Sequence, residues 1–328
     1  MKIGIRAAMT IALAACTLIV GQAEAQDKVT LKLGMLAVKG HPVHEAGARL
    51  ADVVSQRTSG AVTIQLFPGG QLGDEGAMRD LVAAGGLDMA SIADPVSGGI
   101  VKRFEMFSLP YLWRDREHIR KVVNGPLGAQ LSDEYLKKTG VRILALNWQQ
   151  GTRHLLTKKR TATIEDLKGV KIRLPNIPMW QDAWKAFGAI VAPIPFTEVY
   201  LSMKQGVVDA VEVPFDWMYT YKFHEVAKNL SLTGHITYSN QIHINDRVFQ
   251  RLTLAHRKVL ADAAVEVGQW ETDLVVGSEK EFRQKLEKEG VTVNAIDTTP
   301  FRARTKDVHQ KYAKVFGEEF FRQVLETR

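Results

Sequence analysis

GTRHLLTKKRTATIEDLKGVKIRLPN, residues 151–176, sets two strand-like runs on either side of the turn TIEDLKG, and each run carries an arginine among apolar neighbours. A guanidinium cannot be neutralised at physiological pH, and its planar fork matches a carboxylate. Burying one without a partner is costly, so Arg153 and Arg173 each need an anion, supplied by the protein or by a ligand. Working upstream, VTLKLGML, HPVHEAGARLADVVSQRTSG, AVTIQLFP, DEGAMRDLVAAGG and LDMASIA alternate strand-like and helix-like periodicity. That β-α-β-α-β series predicts a largely parallel sheet covered by helices. A helical region over 116–138, broken at Asn124-Gly125-Pro126, then leads into the apolar strand VRILALNW.

Downstream, a second alternation begins: helix 179–187, strand 189–194, helix 197–205, strand 207–213. Two α/β units in succession predict two lobes with a cleft between them. Ligands of open α/β sheets sit at the carboxyl ends of strands, and lobe interfaces are favoured pocket sites. Helical periodicity over 254–289, with no proline from 215 to 299, predicts one long helix crossing between lobes. Gly268 and Gly277 are expected to weaken or bend it, at about 1 kcal/mol each relative to alanine.

The chain opens with Lys2 and Arg6, an apolar run over 7–20, and Ala23-Glu24-Ala25. This is the order of a secretory signal peptide, with cleavage expected after Ala25 and a periplasmic mature protein. The run is shorter than the roughly 20 residues of a membrane span. Cys16 offers a competing lipoprotein reading. It is also the only cysteine, so no intramolecular disulfide is available to the mature chain. The net charge of +7 is interspersed except at Lys158-Lys159-Arg160, which reads as a solvated strand end rather than a nucleic-acid patch.

His41, His44 and Glu45 share a helix start, but two histidines do not make a closed or catalytic metal site and no HExxH motif is present. No phosphate loop or dinucleotide fingerprint occurs, and no paired nucleophile accompanies Glu198, Glu212 or Asp216. Neither a metal, a cofactor nor a catalytic residue is therefore expected.

Six blocks taken in order carry a resemblance: FPGGQLGDEGAMRDLVAAGGLDM, SLPYLW, GTRHLLTKKR, DLKGVKIRLPN, PFTEVYLSMKQGVVDAVE and KFHEVAKNLSLTGH. The chain resembles the extracytoplasmic solute-binding proteins of tripartite ATP-independent periplasmic (TRAP) transporters, the DctP-like family. The resemblance implies two α/β lobes joined by crossing strands and a long helix, closing around a small organic acid. It implies a division into signal peptide 1–25, first lobe 26–150 with 239–278, and second lobe 151–238 with 279–328. The arginine of the K-I-R-x-P strand, Arg173, is implied to hold the ligand carboxylate, with Arg153 assisting. The family's asparagine in D-G-x-E-N-P is replaced here by Val213, so that end of the ligand is expected to be less polar. Leu36 and Ala93, near polar contacts in some relatives, are apolar here too.

Against this, strand alternation alone would put Arg173 on a surface with Glu165 or Asp166 as its partner. Among the aromatics, Trp148 and Trp217 are the expected pocket walls, with Phe215 beside them. Asp94 is either a turn residue before Pro95 or a first-lobe contact to a ligand hydroxyl or amine. The expected partners are one small organic acid, with an apolar or aromatic monocarboxylate preferred to a dicarboxylate, and the TRAP membrane subunits. A monomer is expected, with no nucleic acid. The alternatives are a secreted α/β lyase or hydrolase using Glu212 or Asp216 as base, and a receptor-coupled sensor with the same pocket.

Overall fold

The computed structural model describes residues 28–328. The signal peptide, its cleavage after Ala25 and the lipoprotein reading of Cys16 lie outside the described residues. The chain runs β1 (Val29–Gly34), α1 (Pro42–Arg57), β2 (Val62–Phe67), α2 (Glu75–Ala84), β3 (Met89–Ala93), α3 (Asp94–Ser97), α4 (Arg116–Val123), α5 (Pro126–Thr139) and β4 (Val141–Gln149). It continues through β5 (Arg153–Thr157), β6 (Lys171–Leu174), α6 (Pro178–Ala186), β7 (Ile190–Pro193), α7 (Val199–Gln205), β8 (Ala210–Val213) and α8 (Phe215–Thr220). The remainder is β9 (Asn229–Ile236), β10 (Ser239–Asn245), α9 (Asp246–Arg251), α10 (Leu254–Lys288), β11 (Thr292–Asn294), α11 (Thr299–Phe316) and α12 (Glu318–Glu326).

Local chemistry accounts for the helix starts near the cleft. The His41 Nδ1 accepts from the Val43 N–H at 3.1 Å, and Pro42 occupies the first turn of α1, where its missing N–H costs nothing. Val43, Ala46, Leu50 and Val54 then bury one face against the sheet. Asp74 caps α2 by accepting from Ala77 N–H at 2.8 Å, which makes Glu75 the first helical residue.

The strands form two sheets, ordered β2-β1-β3-β10-β4 and β11-β9-β5-β8-β6-β7. β1 is parallel to β2 and β3, as the alternation predicted, but both sheets are mixed: β10 runs antiparallel between β3 and β4, and β5 antiparallel between β8 and β9. β9 and β10 escaped the reading of periodicity. In β10 (SNQIHIN) every residue is buried, polar ones included. Some of its polar atoms find partners inside: Ser97 Oγ donates to Gln241 at 2.7 Å and Asn240 Nδ2 donates to Ser91 at 3.0 Å. A central strand of this kind carries no hydrophobic alternation to detect.

The chain passes directly from strand to strand between the sheets twice, from β4 to β5 and from β9 to β10, and returns to β11 through α10. The two crossings lie side by side, with Gln150 N–H donating to Tyr238 O at 2.9 Å and Thr152 and Thr237 hydroxyls 3.2 Å apart. α10 braces both. Its Ala264 and Val265 carbonyls accept from Trp148 Nε1 and Asn147 Nδ2, each at 2.9 Å, and further along Phe282 packs against Tyr219 of α8. Gly268 does not break this helix. A Cβ there would come within 2.5 Å of Trp148 Cδ1, so the glycine is what lets the helix lie flat on β4. At the C-terminus, α11 packs Phe301 on Phe187 beside α6, whereas α12 docks near α4, where its Val324 carbonyl pairs with His118 Nε2 at 2.8 Å.

Candidate ligand-binding cleft

The cleft lies where strands of both sheets end. Leu36 follows β1, Ala93 ends β3, Pro175 follows β6, and Val213 ends β8, all facing one inner cavity of ≈ 60 Å³. That holds roughly four to six water-sized groups. It opens into an outer chamber of ≈ 380 Å³, with Leu36, Glu75, Arg173 and Phe196 lining both. The lobes touch beside it: Tyr221 Oη donates to Leu36 O, and Trp180 Nε1 donates to Ser108 O at 3.0 Å.

The two arginines differ in what they have for company. Arg153 is 5 % exposed and forks onto Glu212, with Nε to Oε2 at 2.6 Å and Nη2 to Oε1 at 2.7 Å, and Nη2 also donates to the Glu212 carbonyl. Its guanidinium lies 4.6 Å from the Trp180 ring centre and 5.2 Å from that of Tyr238. Burial opposes the Arg153 charge, yet Glu212 more than restores it and the net shift is upward. Glu212 also meets His235 Nε2 at 2.9 Å. Burial pushes its carboxyl up, but Arg153 and His235 pull it down to about 2. A carboxylate held that low and already paired with Arg153 and His235 is a poor general base at neutral pH.

Arg173 is 3 % exposed and has no ion pair among the described residues. Its Nε donates to Ile194 O at 2.8 Å, and the Phe196 ring lies 5.3 Å away. Burial pushes its pKa down to about 9, with Glu212 opposing and Arg153 adding to the drop. It remains charged at neutral pH. The surface pair with Glu165 or Asp166 does not form: Glu165 meets Arg304, and Asp166 accepts from the Ala162 and Thr163 N–H groups.

Val213 and Trp217 line the inner cavity as the sequence suggested. Trp217 stands between His41, at 4.2 Å, and Tyr221, at 5.5 Å between ring centres. Trp148 is placed elsewhere: it is fully buried under α10, away from the cavity. Phe215 also faces away, stacked on His154 at 4.6 Å beside a small pocket at the crossing. Asp94 is buried behind the wall, where its Oδ2 accepts from Ser239 N–H at 3.1 Å and ties β10 to α3. Burial raises its pKa well above the usual carboxylate range.

Glu75, Trp180, Tyr238 and Phe196 also line the cavity and were not among the expected site residues. Glu75 Oε1 accepts from Ala93 N–H at 2.9 Å, and burial pushes its carboxyl up to about 7. In sequence it is an ordinary acidic residue in a first helical turn. The block GQLGDEG, with its glycine-rich approach to a capped helix, was the one available signal. The two histidines near the start of α1 have other roles: His41 caps α1 and His44 pairs with Glu45 at 3.1 Å. Among the described residues no group of three or more His, Cys, Asp or Glu is placed to hold a metal. Nor, among them, is any helix long and apolar enough to cross a membrane.

Residues 33–315 match the family model of the bacterial extracellular solute-binding protein, family 7. The chain belongs to this family, DctP. DctP proteins are extracytoplasmic solute-binding proteins of transport systems, not enzymes, as the six sequence blocks implied. The sialic acid-binding periplasmic protein SiaP of Vibrio cholerae is 32 % identical over 88 % of this chain and 90 % of its own. The fold resembles a TRAP periplasmic solute-binding protein from a Polaromonas species bound to D-erythronate, with TM-score 0.87 and 29 % identity over 92 % of this chain and 99 % of that one. It also resembles one from Actinobacillus succinogenes with bound L-galactonate, with TM-score 0.87 and 28 % identity over 91 % and 99 %.

Proposed function

We propose that this DctP protein captures one small monocarboxylate in the cleft and delivers it to TRAP membrane subunits. Arg173 carries the reading: it is a buried guanidinium facing the cavity with no carboxylate in ion-pair contact among the described residues. Unpaired buried charge is costly, so the site is built to be completed by an anion. Arg153 is already neutralised by Glu212, which leaves one uncompensated positive charge and room for one carboxylate. A dicarboxylate would bring a second negative charge against Glu75 and an apolar wall.

In this reading the carboxylate sits on Arg173, and Arg153 assists through Nη1, which makes no hydrogen bond among the described residues. Trp217, Phe196, Val213, Leu36 and Ala93 enclose a compact, largely apolar or stacking body. Any longer part of the ligand extends into the outer chamber past Glu75. The lobes are 26–150 with 239–278 and 151–238 with 279–328. Contacts to both favour the closed form, which the membrane subunits read. The mature protein, cleaved after Ala25, works as a monomer in the periplasm.

The test is a thermal-shift and calorimetric panel of benzoate, phenylacetate, pantoate, D-erythronate, L-galactonate, D-glucuronate, succinate and malate. Stabilisation by monocarboxylates, with the acid recovered unchanged, is expected. Turnover, or a preference for succinate or malate, sinks the reading.

A further inference from the structure

Behind the Trp217 wall, where the two crossings meet α10, lies a buried group of polar side chains that ligand capture does not use directly. His41 comes from the start of α1 in the first lobe, Asp216 from α8 in the second, and Glu271 from α10, all of them buried. His41 Nδ1 accepts the Val43 N–H, so its proton sits on Nε2, which faces Asp216 Oδ2 at 3.5 Å. Protonating Nδ1 as well would cost the helix its cap, so His41 stays neutral and brings no charge.

Glu271 Oε1 accepts from Gln150 Nε2 at 3.0 Å, and Gln150 Oε1 in turn accepts from Trp217 Nε1 at 3.4 Å. His41 Nε2, Asp216 Oδ2 and Glu271 Oε2 are each buried without a hydrogen-bond partner among the described residues. The nearest cation, Arg116, is engaged by Glu279 at 2.8 Å. Two buried carboxyls near enough for Asp216 to act on Glu271, with only a neutral imidazole beside Asp216, cannot both be ionised cheaply.

We propose that His41, Asp216 and Glu271 form a proton-binding site built into the hinge, filled when the lobes close and weakened when they open, so that capturing the acid takes up a proton. The geometry gives the sense of the coupling. His41 and Asp216 belong to different lobes, so opening separates them and admits water to both carboxyls. Trp217 ties the group to the ligand cavity through Gln150. Burial pushes Asp216 up to about 7, with Glu279 adding to the rise and Arg116 opposing it. Glu271 lies well above its usual range for the same first cause, with Asp216 adding to it and Arg116 opposing. The closed form therefore holds the proton more tightly than a solvated open form, and lowering the pH favours closure. His44, the remaining charge-capable group facing His41, is taken by Glu45. Glu75 is a separate carboxyl, raised to about 7 on the cavity side.

This inference rests on the proposed ligand class, and its test separates the two. Calorimetry of the best-binding acid of the panel, in buffers of different ionisation enthalpy, measures the protons taken up. For one proton on Asp216, Kd should rise by up to about tenfold per pH unit from the ordinary carboxylate range, about pH 4, up to about pH 7, and level off above that. Asp216→Asn with Glu271→Gln should flatten that slope, while Glu75→Gln should keep part of the uptake. Unchanged uptake in the Asp216/Glu271 variant, or its complete loss in Glu75→Gln, overturns the proposal. If no acid binds, the proposed function fails instead, and infrared spectroscopy decides the proton site alone. A protonated-carboxyl band at about pH 6.5, where ordinary carboxyls are ionised, should be present and should lose intensity in both Asp216→Asn and Glu271→Gln, the remainder belonging to Asp94 and Glu75. An undiminished band in both variants, or its absence from the unmodified protein, overturns the site.

Discussion

Arg153 and Arg173 lie on β5 and β6 of one sheet, equally buried and lining the same cavity, yet they stand in opposite electrostatic situations. Arg153 is locked to Glu212, which His235 also holds, and this makes it part of the framework. Arg173 has a carbonyl and an aromatic ring for neighbours and no ion pair among the described residues, which leaves its charge open to the cavity. The difference teaches that burial alone does not mark a ligand-binding charge. An unmatched charge facing a cavity does.

The comparison breaks most readily through stability. Arg153→Met should lower the free energy of unfolding by about 3–5 kcal/mol, because it strands Glu212 as a buried charge. Chemical denaturation measures this, and Arg173→Ala in the same assay should fall within about 1 kcal/mol of the parent or above it. Equal losses would erase the distinction. Binding reverses the order: Arg173→Ala should weaken the acid by about 2–5 kcal/mol in calorimetry, because the ligand carboxylate loses its only full charge partner. Arg173→Lys should also weaken it, by less, since charge remains but the fork is lost.

Acid sharpens the contrast further. Glu212 titrates at about 2 in the folded protein, below the ordinary carboxylate value, so its contribution to stability is present above about pH 4.3 and fades as pH falls towards 2. Stability measured from about pH 5 to 2 should fall, and Glu212→Gln should flatten the curve while lowering its plateau. Arg173 has no such partner, and Arg173→Ala should leave the slope as it is. The smallest effect lies away from both arginines: Gly268→Ala should cost about 1–3 kcal/mol by pushing α10 off Trp148. A stabilised variant would mean that the helix packs less closely on β4 than these contacts indicate.

Much of the fold was legible in the chain. The β-α-β-α-β opening, the break at Asn124-Gly125-Pro126 and the long helix all follow from periodicity and caps that act within a few residues. β9 and β10 were not legible, because β10 buries polar side chains whose partners, such as Ser91 and Ser97, lie far away in sequence. The cavity lining divides the same way. Arg173, Arg153, Val213 and Trp217, which line it, could be named from the sequence. Glu75, Trp180 and Tyr238 could not, since each reaches the cavity from a different element. Trp148 and Phe215 looked like wall residues but face α10 and His154 instead.

By itself the sequence determined that two permanent charges would be carried on apolar strands and that each would demand an anion, because a guanidinium cannot shed its charge. Only the tertiary structure decided which anion each receives. The antiparallel pairing of β5 with β8 brings Glu212, fifty-nine residues away, onto Arg153, and β6 brings nothing comparable to Arg173. Charge type is a property of the residue. Charge compensation is a property of sheet neighbours, and local periodicity carries no information about those.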